Sequence, residues 1–160
     1  MTTSRERVLK TVNHQEPDRV PIDFGGHRSS GIMAIAYNKL KQHLGMTTGD
    51  IYVYDFVQQL AIVEPAVLDR FNVDVVELGR GFALDEADWR DWVLPDGTPC
   101  KIPAFIEPVR VGGDWCVYAP DGTLTTIQKQ GSLYFEQTCF PWFGQATDDL
   151  SQLDAAMDKV

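Results

Sequence analysis

Three turn-forming triplets restrict what this chain can fold into more than any other feature. Pro95-Asp96-Gly97, Gly112-Gly113-Asp114 and Pro120-Asp121-Gly122 cut the stretch 88–128 into short runs rich in Val, Ile, Thr, Tyr and Trp. Glycine supplies positive φ, proline presets the first central residue of a turn, and an aspartate side chain bonds the backbone two residues on. A chain that reverses at such short intervals makes hairpins, because a parallel crossover consumes a dozen or more residues. The spacing therefore predicts an antiparallel β-meander over 88–128. Three of the chain's four tryptophans, Trp89, Trp92 and Trp115, fall inside it, and their large apolar faces would hold a small sheet against a larger body. Two readings stand for this stretch: an elaborated functional loop, or a packing flap.

The residues before it alternate differently. Thr3 and Glu6 are spaced as a capping box ahead of Val8, Leu9 and Val12, which predicts a short helix stopped by Asn13 to Asp18 with Pro17 inside it. Val20 to Phe24 reads as a buried strand ended by Gly25-Gly26. Ser29 or Ser30 would cap a helix over 30–44, with Ile32, Ile35, Ala36, Leu40 and Leu44 at helical spacing before Gly45. Glu64-Pro65 opens another short helix with Leu68 and Phe71 facing inward. Val73, Val75, Val76 and Leu78 form a second strand that stops at Gly79. Strand, helical crossover and strand make 20–24 and 73–78 parallel neighbours in an α/β scaffold carrying the meander as an insertion.

From Thr147 a further helix is expected, presenting Leu150, Leu153, Met157 and Val160 to the last residue. The expectation is one partial domain over 1–160 whose natural chain continues past 160. Open strand edges and an uncovered apolar helix face would favour self-association or a complementary chain.

Charge and cysteine usage narrow the function classes. A net charge of −9 with scattered basic residues argues against a nucleic-acid partner. No apolar run approaches the ~20 residues of a membrane span, and the polar start lacks a secretory hydrophobic region, so a cytoplasmic protein is expected. Cys100, Cys116 and Cys139, with His14, His27 and His43, show no ligand spacing. The reading is therefore no disulfide framework and no metal ligand in this segment.

Candidate site residues follow from position. His27 and Arg28 sit on the strand-to-helix glycine loop, where α/β proteins meet ligands, and read as substrate contacts or as a surface loop whose arginine pairs with a carboxylate. Asp23 would point away from Ile22 and Phe24, toward a pocket or into an ion pair. Asp55 and Gln58, with Gln59, share a face if "YDFVQQLAIV" is helical; they would orient substrate or decorate an amphipathic helix. Glu77 and Arg80 bracket the end of the second strand, Glu77 as a proton shuttle or an ion-pair partner. Tyr134, with Glu136 and Gln137, would contribute to a pocket wall.

The opening "SRERVLKTVNHQEPDRVPIDFGG", followed by "LDRFNVDVVELG" and "DWVLPDGTPCKIPAF", resembles the uroporphyrinogen decarboxylase superfamily. The branch it resembles contains corrinoid- and zinc-dependent methyltransferases. The resemblance implies the N-terminal part of a (β/α)8 TIM barrel, a fold of ~250 residues. Porphyrinogen decarboxylases carry Pro-x-x-x-Met-Arg-Gln-Ala-Gly-Arg after the first strand. Laying Pro21 on that proline puts Gly26 and Ser30 where the two arginines stand, with Arg28 out of register. The decarboxylase aspartate after the second strand has Gly79-Arg80 nearest to it. The implied activity of a full-length parent is thus methyl transfer to or from a corrinoid, or to a thiol or folate acceptor, with a corrinoid protein as a partner. Porphyrinogen decarboxylation in heme biosynthesis is the alternative, and an inert fragment or binding module the non-enzymatic one. The family's zinc ligands lie in the C-terminal half, so none is assigned here. In the site so implied, Asp55 and Glu77 are the candidate catalytic groups. Asp23, His27, Arg28, Gln58, Arg80 and Tyr134 are the candidate contacts to a small-molecule substrate.

Overall fold

Helix α1 (Ser4–Val12) begins at its capping box: the Glu6 N–H donates to Thr3 Oγ1 at 3.2 Å, and the Thr3 N–H donates to the Glu6 carboxylate at 2.8 Å. The computed structural model describes residues 2–78 and 85–140. After a 3-10 turn at Arg28–Ser30 come β1 (Ile32–Met33), α2 (Ala34–His43), β2 (Val53–Asp55), β3 (Leu60–Ala61) and α3 (Pro65–Arg70). The meander region supplies β4 (Trp89–Val93), β5 (Pro99–Pro103), β6 (Val109–Val111), β7 (Asp114–Tyr118) and β8 (Leu124–Gln128), and β9 (Glu136–Gln137) follows it.

These strands form three sheets, ordered β1-β3-β2, β4-β5 and β6-β7-β8-β9, and every ladder is antiparallel. The stretch 88–128 is antiparallel as its turns predict, but divided between two sheets. Its two Pro-Asp-Gly turns are built alike. Gly97 (φ 86°) donates its N–H to Leu94 C=O and Gly122 (φ 85°) to Ala119 C=O, both at 2.9 Å. In the same turns Asp96 and Asp121 accept from the N–H groups of Thr98 and Thr123.

The barrel expectation is overturned. Among the described residues the chain forms antiparallel sheets with three short helices, and not the parallel strand-helix repeat of a (β/α)8 barrel. Among the described residues parallel pairing survives only as two isolated bridges, Asp23 with Val75 and Tyr52 with Lys101. The runs 20–24 and 73–78 do lie side by side in parallel sense, yet neither becomes a strand. Pro21 has no N–H to give to a ladder. The Ile22 N–H is taken at 2.9 Å by the Asp74 carboxylate rather than by a strand carbonyl. Val20 and Val76 remain exposed, unlike the two-sided burial of a barrel strand.

Two further expectations change. The helix expected over 30–44 starts only at Ala34, with Met33 at its N-cap and no side-chain cap. Ile32 and Met33 are drawn instead into pairing with Ala61 and Leu60. The stretch around Asp55 to Gln59 is a strand-turn-strand unit and not a helix, because Asp55 Oδ1 accepts the Gln58 N–H at 2.8 Å and Gln59 adopts φ 57°. The helix expected from Thr147, and Gly79-Arg80, lie outside the described residues.

The sheets share one core, which includes Tyr37, Val53, Val67, Leu94 and Ile102. The Lys101 N–H donates to Ile51 C=O at 2.8 Å, joining the β4–β5 hairpin to the first sheet. Phe56 then touches Trp92 from the second sheet and Phe135 from the segment leading into the third. α3 packs Leu68 against this core, while Phe71 stays partly exposed edge-on to Phe24. No helix among the described residues is long and apolar enough to cross a membrane.

The cysteines behave as packing residues. Cys100 and Cys116 are buried and Cys139 is half-buried, all three as free thiols. Burial, aided by the nearby Asp96 carboxylate, pushes the Cys100 thiol up to about 12. A raised thiol pKa contributes stability that is complete below the unfolded value of about 8.5 and is lost as pH climbs toward the folded one. At pH 8 a disulfide-exchange reagent should therefore modify Cys139 first, with Cys100 and Cys116 reacting only on unfolding. A fast-reacting thiol that persists in Cys139→Ser would show this order to be wrong.

Candidate functional site

The glycine loop after Phe24 is wired by its own side chains. Gly26 N–H and Ser30 Oγ both donate to Asp23 Oδ1, at 2.8 and 2.9 Å. The His27 N–H donates to Ser30 Oγ at 3.1 Å, and Gly25 N–H to Ser30 C=O at 2.9 Å. Gly26 is required by close approach: a Cβ there would stand 2.6 Å from Asp23 Oδ1 and 2.9 Å from Val75 Cγ1. Asp23 is thus occupied in shaping the loop. His27 Nδ1 accepts the Ser29 N–H at 3.2 Å and lies 3.0 Å from Ser29 Oγ. A neutral imidazole so held carries its proton on Nε2.

Arg28 follows in the 3-10 turn, where its Nε pairs with Asp55 Oδ2 at 3.0 Å. The two partners differ in exposure, 64% for the Arg28 side chain and 7% for that of Asp55. Asp55 also accepts from the Gln58 N–H at 2.8 Å and from Gln58 Nε2 at 3.1 Å. With three donors on its two oxygens, Asp55 is an anchor for Arg28 and the turn rather than a free base. Apart from this contact at Nε, the Arg28 side chain is largely exposed. A planar pair of parallel N–H groups is the arrangement that grips a carboxylate at two points.

Tyr134 is placed beside this unit through the backbone. The Phe135 N–H donates to Val57 C=O at 3.1 Å, so the segment carrying Tyr134 runs along the Asp55–Gln59 turn. Tyr134 itself is exposed, its N–H on Ser132 Oγ at 3.3 Å. Glu136 and Gln137 are exposed in β9, opposite Ile127 and Thr126. Glu77 is exposed two positions beyond Val75, the residue that bridges Asp23. Arg80 lies outside the described residues. The structure therefore gathers Asp23, His27, Arg28, Asp55 and Gln58, and brings Tyr134 alongside. Ser29 and Ser30 matter to this loop more than their reading as helix caps implied. Their signal was a pair of hydroxyls directly after a Gly-Gly turn that already held a histidine.

A cavity of about 590 Å3 lies elsewhere, between Asp50, Asp91, Trp92, Lys101 and Trp115. Its lysine is engaged by Glu86 and Asp50. None of the residues gathered at Arg28 lines it. Zinc and a corrinoid, implied by the resemblance, find no support. Among the described residues no three His, Cys, Asp or Glu side chains converge on a metal position. No protein-family model, curated protein or solved structure matches the chain.

Proposed function

We propose that Arg28 and its loop bind the anionic group of a small substrate, as the recognition part of a uroporphyrinogen-decarboxylase-like enzyme to which this chain contributes an N-terminal portion. The barrel is no part of this proposal. The observation that carries it is the Arg28–Asp55 pair: a nearly buried carboxylate holds one nitrogen of an arginine whose side chain is otherwise largely exposed. Neutralising Asp55 occupies only Nε of this arginine. The chemistry we assign to the parent is methyl transfer to or from a corrinoid, with a thiol or folate as the acceptor. One guanidinium on the loop suits a substrate with one carboxylate, whereas a porphyrinogen bearing several would need several cations. A cytoplasmic setting suits the three free thiols.

The test is calorimetric titration with 3-mercaptopropionate, a thiol carrying one carboxylate. Arg28→Ala should weaken binding about tenfold, the value of a charge-assisted hydrogen bond at an exposed site. Its thermal stability should fall by less than about 1 kcal/mol. Equal affinity in the variant would remove Arg28 from the site. Tighter binding of uroporphyrin, insensitive to Arg28→Ala, would turn the reading toward decarboxylation.

A further inference from the structure

We infer that the cleft between the β6–β9 sheet and the β4–β5 turn is a second ligand site, one that takes a small organic carboxylate. The cleft shares no residue with the Arg28 loop. It measures about 250 Å3 and runs from Pro95 across Arg110, Trp115, Gln128 and Lys129 to Leu133. At ~30 Å3 per water, that space holds about eight waters, or an organic molecule of similar heavy-atom count.

Its walls are chemically one-sided. The Arg110 guanidinium lies 5.1 Å from the centre of the Trp115 ring. Stacking of this kind fixes the plane of the guanidinium while leaving its N–H edge free to donate. Among the described residues no carboxylate lies within ion-pair distance of Arg110, whose charge acts on Asp114 from further off. Lys129 Nζ reaches Asp114 at 3.2 Å, and the other Asp114 oxygen accepts the Gln130 N–H at 2.9 Å. Two cations against one carboxylate leave this cleft positive on a chain whose net charge is −9.

Gln128 supplies the independent observation. Its side chain lines the cleft in a residue only 5% exposed, and Nε2 has no hydrogen-bond partner among the described residues. A buried amide donor without an acceptor is costly and uncommon in folded proteins. Nε2 is itself shut off from solvent, so a ligand oxygen becomes its acceptor when the Gln128 side chain turns toward the cleft it lines. A carboxylate provides two oxygens, one for Gln128 and one for Arg110, while Pro95, Trp115 and Leu133 receive an apolar body. A cation would be repelled by Arg110, and a neutral ligand brings an acceptor oxygen without the charge that strengthens a guanidinium hydrogen bond.

Benzoate is the probe, with neutral benzamide as its near-isosteric control. The readout is the indole N–H resonance of Trp115, assigned by its loss in Trp115→Phe. Benzoate should shift this resonance saturably, and benzamide should do so only at about tenfold higher concentration or above. Arg110→Ala should weaken benzoate binding about tenfold and Lys129→Ala about threefold, each partner being charged. Arg28→Ala should leave it unchanged, so this site and the Arg28 site succeed or fail separately. A resonance that benzoate does not move, or that benzamide moves equally, would overturn the inference without reference to any variant. Unchanged affinity in Arg110→Ala, or loss of binding in Arg28→Ala, would overturn it as well.

Discussion

Asp74→Ala is expected to destabilise the protein by about 3–5 kcal/mol, the cost of stripping one partner from a buried ion-pair network. The Asp74 side chain has no exposed surface and gathers Arg7, Arg19 and the Ile22 N–H. Arg19 alone reaches it twice, at 2.7 and 3.1 Å. Arg7 is itself buried and divides its guanidinium between Asp74 and Asp18, with Nε 2.8 Å from Asp18. Removing Asp74 leaves Arg7 with Asp18 and the Thr2 carbonyl only, and the Ile22 N–H with no partner, and releases helix α1 from the segment before Val75. Against the ~5–15 kcal/mol that holds a typical domain, such a loss would lower the melting temperature by roughly 10 °C. Asp74→Asn keeps an acceptor for Ile22 and should cost less than Asp74→Ala. A melting temperature within a degree or two of wild type in Asp74→Ala would show that the clasp carries no weight.

The same network sets the acid limit. Burial by itself raises the Asp74 carboxyl, but the Ile22 N–H, Ser4, Arg19 and Arg7 together outweigh it and hold the group well below the usual carboxylate range. Asp18 is lowered too, chiefly by its hydrogen bond from Arg7. A depressed carboxylate contributes stability that is complete above its unfolded value of about 4 and is lost as pH falls through the folded one. Stability should therefore decline steadily below pH about 4, with a shallower slope in Asp74→Asn. Equal slopes for the two proteins would assign acid unfolding to other groups.

Phe56→Ala should be comparably damaging, by about 3–5 kcal/mol for a buried aromatic cut to a methyl group. Phe56 is 5% exposed, with ring centroids 4.1 Å from Phe135 and 6.1 Å from Trp92. Trp92 in turn stands edge-on to Trp115 at 4.8 Å. One side chain on the turn after β2 therefore links elements of all three sheets. Its loss should shift tryptophan fluorescence to the red as Trp92 and Trp115 gain water, before global unfolding begins. Phe56→Leu, which fills most of the space, should recover much of the stability. An unshifted emission spectrum in Phe56→Ala, with stability reduced by less than about 1 kcal/mol, would mean the sheets hold together without it.

What could be read from the sequence was what neighbours in the chain decide between themselves. The Thr3–Glu6 capping box, the proline-led start of α3 and the two Pro-Asp-Gly turns each depend on groups within a few positions, and each formed as written. At the glycine loop the sequence marked His27 and Arg28 as a pair of interest. It could not show that Arg28 would meet Asp55, because that contact exists only once β1 pairs with β3 and the turn after β2 folds over. The parallel strands failed for the same kind of reason. Val20 to Phe24 and Val73 to Leu78 have the composition of buried strands, and one bridge joins them. A ladder also needs its backbone donors free, and here a carboxylate held by two arginines takes the Ile22 N–H before a strand can. Hydrophobic pattern is a property of the segment alone. Which partner reaches a backbone N–H first is a property of everything that packs around it, and only the tertiary structure decides it.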